Sequence, residues 1–190
     1  MTLKNKIIKD YILKLINCLN IDNEKQITKL HALILSAWKK NKKIFICGNG
    51  GSAANANHIA NDLLIAATKN SKKKIDVESL CSNSSVMTCL ANDIGYDKIF
   101  SEQIKRKGSK EDLLIVLSGS GNSKNIINVI NEAKKLNIIT FGILGFNGGR
   151  CKKILKNFIN YEVNDMQISE DLQMIVMNIC VKSLMKQKIV

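Results

Sequence analysis

Two glycine- and serine-rich turns are the residues of this chain best equipped for chemistry. Cys47-Gly-Asn-Gly-Gly-Ser52 and Ser118-Gly-Ser-Gly-Asn-Ser123 each follow an apolar run that reads as a strand and precede a pattern that reads as a helix. Glycines there let the backbone approach a ligand and take positive φ, while hydroxyls and the free N–H groups of the next helix face outward. Such a turn cradles an anion. Neither ends in the Gly-Lys-Ser/Thr of a Walker loop, and neither gives the G-x-G-x-x-G fingerprint, so a nucleotide cofactor is not indicated. Taken singly, either could be no more than a tight connection between strand and helix.

Downstream of the first turn, His58 and Asp62 stand four residues apart and share one helical face. A pair of this kind can ligate a metal or handle protons, and it is also a common accident of exposed helices. The last helical stretch opens Gln167-Ile-Ser-Glu-Asp171, and Glu170, Gln173 and Asn178 sit among Met and Ile neighbours. Polar groups inside an apolar stripe need a partner or a job. His31, in an earlier helix, reads as structural or surface. The six cysteines have no C-x-x-C pair and read as reduced, small core residues of a cytosolic protein.

The elements that must position these groups follow from periodicity. Leu3 to Ile21 and Asn23 to Lys40 have apolar residues at helical spacing, so residues 1–41 form a helical pair. Strands are then expected at Lys43–Cys47, Asp76–Leu80, Leu113–Leu117, Ile138–Leu144 and Phe158–Val163. Helices are expected at Ser52–Ala67, Ser84–Ala91, Lys98–Lys107, Lys124–Leu136 and Gln167–Lys188. Apolar strands alternating with helices mean an α/β fold whose parallel sheet is covered on both faces. Ligands in such a sheet bind beyond the carboxyl ends of the strands, where both turns fall.

The 190 residues suit one domain, and 45% hydrophobic content suits an ordinary core. No stretch has the ~18 uninterrupted apolar residues of a membrane span, and lysines interrupt the N-terminal run, so neither a membrane anchor nor a secretory signal is expected. The formal charge of +13 would attract any anion. With aromatics at 5%, the stacking platforms of a single-strand binder are missing, and nucleic acid is not the expected partner. The Lys, Asn and Ile bias without any Pro is also what an A/T-rich coding sequence produces.

Cys47-Gly-Asn-Gly-Gly-Ser-Ala-Ala54, Ala91-Asn-Asp-Ile-Gly-Tyr96 and Ser118-Gly-Ser-Gly-Asn-Ser123, in this order and this fold pattern, resemble the SIS (sugar isomerase) family, and within it the phosphoheptose isomerases. The resemblance implies a three-layer α/β/α sandwich with a five-stranded parallel sheet. It also implies a cytoplasmic homotetramer with sites at subunit interfaces, assembled in part through the N-terminal helices, whose apolar stripe a lone sandwich would leave exposed. The implied activity is aldose–ketose isomerisation of a sugar phosphate, sedoheptulose 7-phosphate, feeding heptose to a surface polysaccharide. By the same resemblance, Ser52, Ser118, Gly119, Ser120 and Ser123 hold the phosphate, and Asn49, Gly50 and Gly51 line the sugar chain. Asn92 and Asp93 contact its hydroxyls. Asp62, with His58 or Glu170, carries the proton between C1 and C2, and His58, Asp62 and Glu170 are implied ligands for Zn2+.

The chain departs from that pattern at three places. Where the resembled enzymes have Glu, Gln and His, it has Asp62, Glu170 and Asn178. Asp is a methylene shorter, and an amide is neither a general acid near neutral pH nor a good zinc ligand. The alternative is therefore a catalytically silent scaffold resembling the DnaA initiator-associating protein, which likewise has Asn at the position of Asn178.

Overall fold

The computed structural model describes residues 5–19 and 23–189. Two helices, α1 (Asn5–Leu19) and α2 (Glu24–Lys39), lead into β1 (Ile44–Cys47) and α3 (Gly51–Asn61), which runs on into a π turn at Asp62–Ala66. Then come β2 (Val77–Ser79), α4 (Ser84–Asp93), a 3-10 turn at Tyr96–Lys98, α5 (Ser101–Lys107), β3 (Leu113–Ser118) and α6 (Lys124–Lys135). The chain closes with β4 (Ile139–Leu144), α7 (Gly149–Ile154), β5 (Phe158–Asn160) and α8 (Met166–Leu184). The ends of the expected first helix, Leu3 and Ile21, lie outside the described residues. The expected elements are present, most with trimmed ends, while β3 and α4 run on to Ser118 and Asp93 and α8 starts at Met166. The short helix α7 and the π turn were not foreseen.

All strand pairs are parallel, in the order β2-β1-β3-β4-β5. The chain moves from β1 to one side and returns to pair β3 on the other, so the order reverses between β1 and β3. The two glycine turns are the connections that leave these two strands. That is where open α/β sheets leave a crevice for ligands.

Every residue of β1 and β3 is buried, and alternate side chains feed opposite layers. Ile44, Ile46, Leu113, Ile115 and Leu117 pack toward α2, α3 and α8, while Phe45, Cys47, Leu114 and Val116 pack toward α5 and α6. Buried Asp112 ties the lower ends of the strands together. Its carboxylate accepts from Lys43 N at 2.9 Å and from Ser109 N at 2.8 Å.

Helix α1 docks on α8 through Tyr11 Oη, which donates to Asp171 Oδ2 at 2.6 Å, and through the Lys14–Asp165 ion pair at 3.3 Å. Its other face leaves Ile7, Ile8, Ile12, Leu13, Ile16 and Leu19 exposed. Four of the six cysteines are buried and none is paired. Burial pushes the Cys151 thiol up to about 11 and Cys180 to about 12, as expected of inert core residues. Cys89 differs, being exposed with its S–H directed at Asp93. His31 is partly buried on α2, with Nε2 unpartnered and its pKa lowered by burial.

Candidate active site

The first turn leaves β1 and becomes α3 at Gly50, whose φ of 57° suits glycine, with Ser52 buried just inside the helix. Gly51 has no side chain because the Glu170 carboxylate of α8 lies where its Cβ would be. The second turn leaves β3 and becomes α6 at Ser123. This N-cap residue makes no capping bond with its side chain, so its hydroxyl is not spent on the helix. Ser118 Oγ accepts from Gly121 N at 3.0 Å, and Ser120 Oγ accepts more loosely from Asn122 N at 3.3 Å.

Between the turns is a small cavity of about 80 Å³, lined by Asn49, Ser52, Ser118, Ser120, Ser123 and Glu170 among others. A liquid water occupies roughly 30 Å³. The cavity therefore admits a group of phosphate size, with Glu170 in its wall. A second, larger polar cavity of about 430 Å³ opens on the other side of Ser120, between Asn122, Phe146, Asn147, Glu162 and Asn164.

Hydrogen-bond direction gives the small cavity its character. Asn55 Nδ2 donates to the Glu170 carbonyl at 3.0 Å and to Gln173 Oε1 at 3.1 Å. Gln173, 1% exposed, in turn donates from Nε2 to Ser52 Oγ at 3.0 Å. With its oxygen accepting from the amide, Ser52 keeps its own proton to donate. Ser118 and Ser120 likewise accept from backbone N–H groups and keep theirs. These hydroxyls and the N-terminal turns of α3 and α6 present donors to one point, which suits an anion and leaves an apolar ligand poorly matched.

The remaining expected residues sit farther out. Gly50 is exposed at the lip. Asn92 and Asp93 lie at the end of α4, with Asn92 Nδ2 donating to Asp93 Oδ1 at 2.8 Å. That bond, with the Cys89 thiol, holds the Asp93 carboxyl below its ordinary range. They do not line the cavity themselves; Tyr96, three residues on, reaches it by donating to Asn49 Oδ1 at 3.0 Å. His58 Nε2 and Asp62 Oδ2 form a 3.2 Å pair at the far end of α3, where the π turn begins. Ten residues of helix at ~1.5 Å each put Asp62 roughly 15 Å from Ser52. Asn178 is exposed, farther along α8 than Glu170.

A zinc centre needs three or four donors converging at ~2 Å. Among the described residues no three His, Cys, Asp or Glu side chains come together to hold one. His58 and Asp62 are a pair, and Glu170 is held at the opposite end of α3 against Gly51. The donor set of a single chain does not fit the ion, and no chemical step is assigned to it.

Sequence reasoning missed Asn55, Asn125 and Tyr96. Asn55 and Asn125 fall inside helical patterns where an Asn is ordinarily solvent-facing, and only their long-range partners mark them. Gln173 did leave a signal, as a polar residue in an apolar stripe.

The model of the SIS domain matches residues 9–145, most of the chain. The chain belongs to the SIS domain family. This SIS chain is 40% identical over 122 residues to the phosphoheptose isomerase of Helicobacter pylori, a match spanning 64% of this chain and 63% of that protein. It is 38% identical over 151 residues to the phosphoheptose isomerase of Clostridium acetobutylicum, spanning 78% and 70% of the two chains. Phosphoheptose isomerase 1 of Campylobacter jejuni is 33% identical over 153 residues, spanning 80% and 82%. Among solved structures, phosphoheptose isomerase GmhA from Neisseria gonorrhoeae superposes with a TM-score of 0.87 at 25% identity, covering 96% of this chain and 98% of that one. No helix among the described residues is long and apolar enough to cross a membrane.

Proposed function

We propose that this chain is an aldose–ketose isomerase that converts sedoheptulose 7-phosphate to an aldoheptose 7-phosphate for surface-polysaccharide synthesis. The observation that carries this reading is the cavity at the switch point of the sheet, sized for a phosphate and lined by serine hydroxyls and helix N-termini, with one carboxylate, Glu170, in its wall. The relatives named phosphoheptose isomerase support the substrate class.

The phosphate sits among Ser52, Ser118, Ser120 and Ser123, held by hydroxyl and N–H donors at the N-termini of α3 and α6. The reacting carbons, C1 and C2, lie at the opposite end of the sugar. The proton carrier must therefore stand away from the phosphate, and Asp62, roughly 15 Å along α3 from Ser52 and so too far from the sugar held by its own chain, serves the cradle of another copy. Its carboxylate removes the proton from C1 while the C2 oxygen gains one, giving a 1,2-enediol. Return of a proton to C2 and loss of one from the C1 hydroxyl leave the aldehyde, so no proton or electron is gained or lost. His58, paired with Asp62, steadies that carboxylate. Glu170 meets the sugar where it leaves the phosphate cavity.

The protein acts as a cytoplasmic homotetramer, in which the exposed stripe of α1 is covered by other copies and Asp62 is brought up to a cradle. Six large apolar side chains of one helix are otherwise left in water.

Incubation with ketose 7-, 6- and 5-phosphates, followed by NMR, tests the reading. Turnover of the seven-carbon substrate above the others is expected. Binding without turnover of any of them would favour the silent scaffold, a reading for which Asn178 is the one specific observation.

A further inference from the structure

Asn49 lines the phosphate cavity at the end of β1, and its side chain is joined to that of Asn125 by two opposed hydrogen bonds. Asn49 Nδ2 donates to Asn125 Oδ1 at 2.9 Å, and Asn125 Nδ2 donates back to Asn49 Oδ1 at 2.8 Å. Tyr96 Oη donates to the same Asn49 oxygen at 3.0 Å. Asn125 is 2% exposed, in the first turn of α6 and two residues beyond Ser123.

An amide oxygen has two lone pairs and its nitrogen two hydrogens. Both lone pairs of Asn49 Oδ1 are occupied, by Asn125 and Tyr96. One hydrogen of Nδ2 is occupied by Asn125. A single N–H remains for the cavity. Rotating the Asn49 amide alone by half a turn would set N–H against N–H and oxygen against oxygen in the pair with Asn125, and turning both amides together would take the Asn49 oxygen away from the Tyr96 hydroxyl. The same pair crosses from the turn after β1 to the helix after β3, and so fixes the spacing of the two phosphate turns.

We infer that Asn125 is a positioning residue for the reaction: it holds Asn49 as a one-hydrogen donor aimed at an oxygen of the bound sugar phosphate. This rests on the proposed function. Asn125 itself, buried behind Asn49, does not touch the substrate.

A double-mutant cycle tests it, with kcat and KM for sedoheptulose 7-phosphate measured on wild type, Asn49→Ala, Asn125→Ala and the double variant, alongside thermal melts. Loss of a positioned donor costs about 10–100-fold in kcat/KM. Asn125→Ala is expected to lose that much, Asn49→Ala at least as much, and the double variant no more than Asn49→Ala alone to within about threefold. Losses that multiply would overturn the inference, because Asn125 would then act by some route other than Asn49. Asn125→Ser, uncharged and too short to reach the Asn49 amide, repeats the cycle for the case in which the alanine variant does not fold. Should wild type turn over no sugar phosphate, the proposed function fails. The cycle is then read by the same criterion in calorimetric binding of sedoheptulose 7-phosphate.

Discussion

Gln173 donates its side-chain N–H to Ser52 Oγ across 3.0 Å, from a helix more than a hundred residues away in sequence, and thereby decides what the serine offers the cavity. A hydroxyl that accepts from an amide has its own proton left for a ligand.

Gln173→Glu keeps the shape and reverses the bond. The carboxylate takes the Ser52 proton and adds a negative charge behind the cradle. Calorimetric affinity for a sugar phosphate should fall by roughly tenfold or more, the equivalent of one charge-assisted hydrogen bond. Gln173→Leu should lose less, since it frees the hydroxyl without turning it. An affinity of Gln173→Glu within about twofold of wild type would contradict this account.

Ser123 and Ser118 should separate binding from stability. Ser123 makes no capping bond, so Ser123→Ala should weaken sugar-phosphate binding by about tenfold while leaving Tm unchanged within about 1 °C. Ser118 is buried and holds Gly121 N, so Ser118→Ala should also lower Tm, by roughly 2–4 °C for about 1 kcal/mol. Equal melting shifts for the two variants would count against the assignment.

Asp62→Asn should reduce turnover by about 10²–10⁴, the usual share of a general base, with sugar-phosphate binding retained. Glu170→Gln removes a negative charge beside the α3 N-terminus, so phosphate affinity should rise or stay level even as turnover falls. An active wild type indifferent to Asp62→Asn would remove Asp62 from the proton path.

Much of this site was legible in the sequence because strand and turn signals are local. The apolar runs before Gly48 and Gly119, and the Gly and Ser residues after them, specify a strand, a turn and a helix N-terminus with no help from distant residues. The continuous apolar run Leu113–Leu117 likewise announced a strand buried on both faces. The π turn at Asp62–Ala66 was not legible, since it inserts a residue into a helix without any breaker; the five-residue step is seen in Ala67 N donating to Asp62 O at 2.9 Å. The Asn49–Asn125 and Gln173–Ser52 bonds join residues 76 and 121 positions apart. No local pattern encodes such pairs; the packing of α6 and α8 against the turns creates them. Sequence spacing also paired His58 with Asp62, which the structure holds 3.2 Å apart, whereas Glu170, joined to them by the resemblance, sits in one chain at the opposite end of α3.

Tyr11 gives a pH test of how α1 is held. Its hydrogen bond to Asp171 raises the phenol from 10.0 to about 12. A folded-state pKa above the unfolded one means that the contribution is complete below pH ~10 and is lost as pH rises toward 12. Thermal melts of wild type should therefore lose stability over that window relative to Tyr11→Phe, which starts lower and lacks this loss. Parallel curves for the two proteins through pH 10–12 would show that the bond contributes nothing.

Proton transfer between C1 and C2 of a seven-carbon sugar phosphate is seen by incubating the protein with sedoheptulose 7-phosphate in D2O and following the carbon-bound hydrogens by NMR. An aldoheptose 7-phosphate bearing solvent deuterium at C2 is expected, with exchange at C1 of the remaining ketose, both abolished in Asp62→Asn. Tight binding of the sugar phosphate with neither product nor exchange would contradict it.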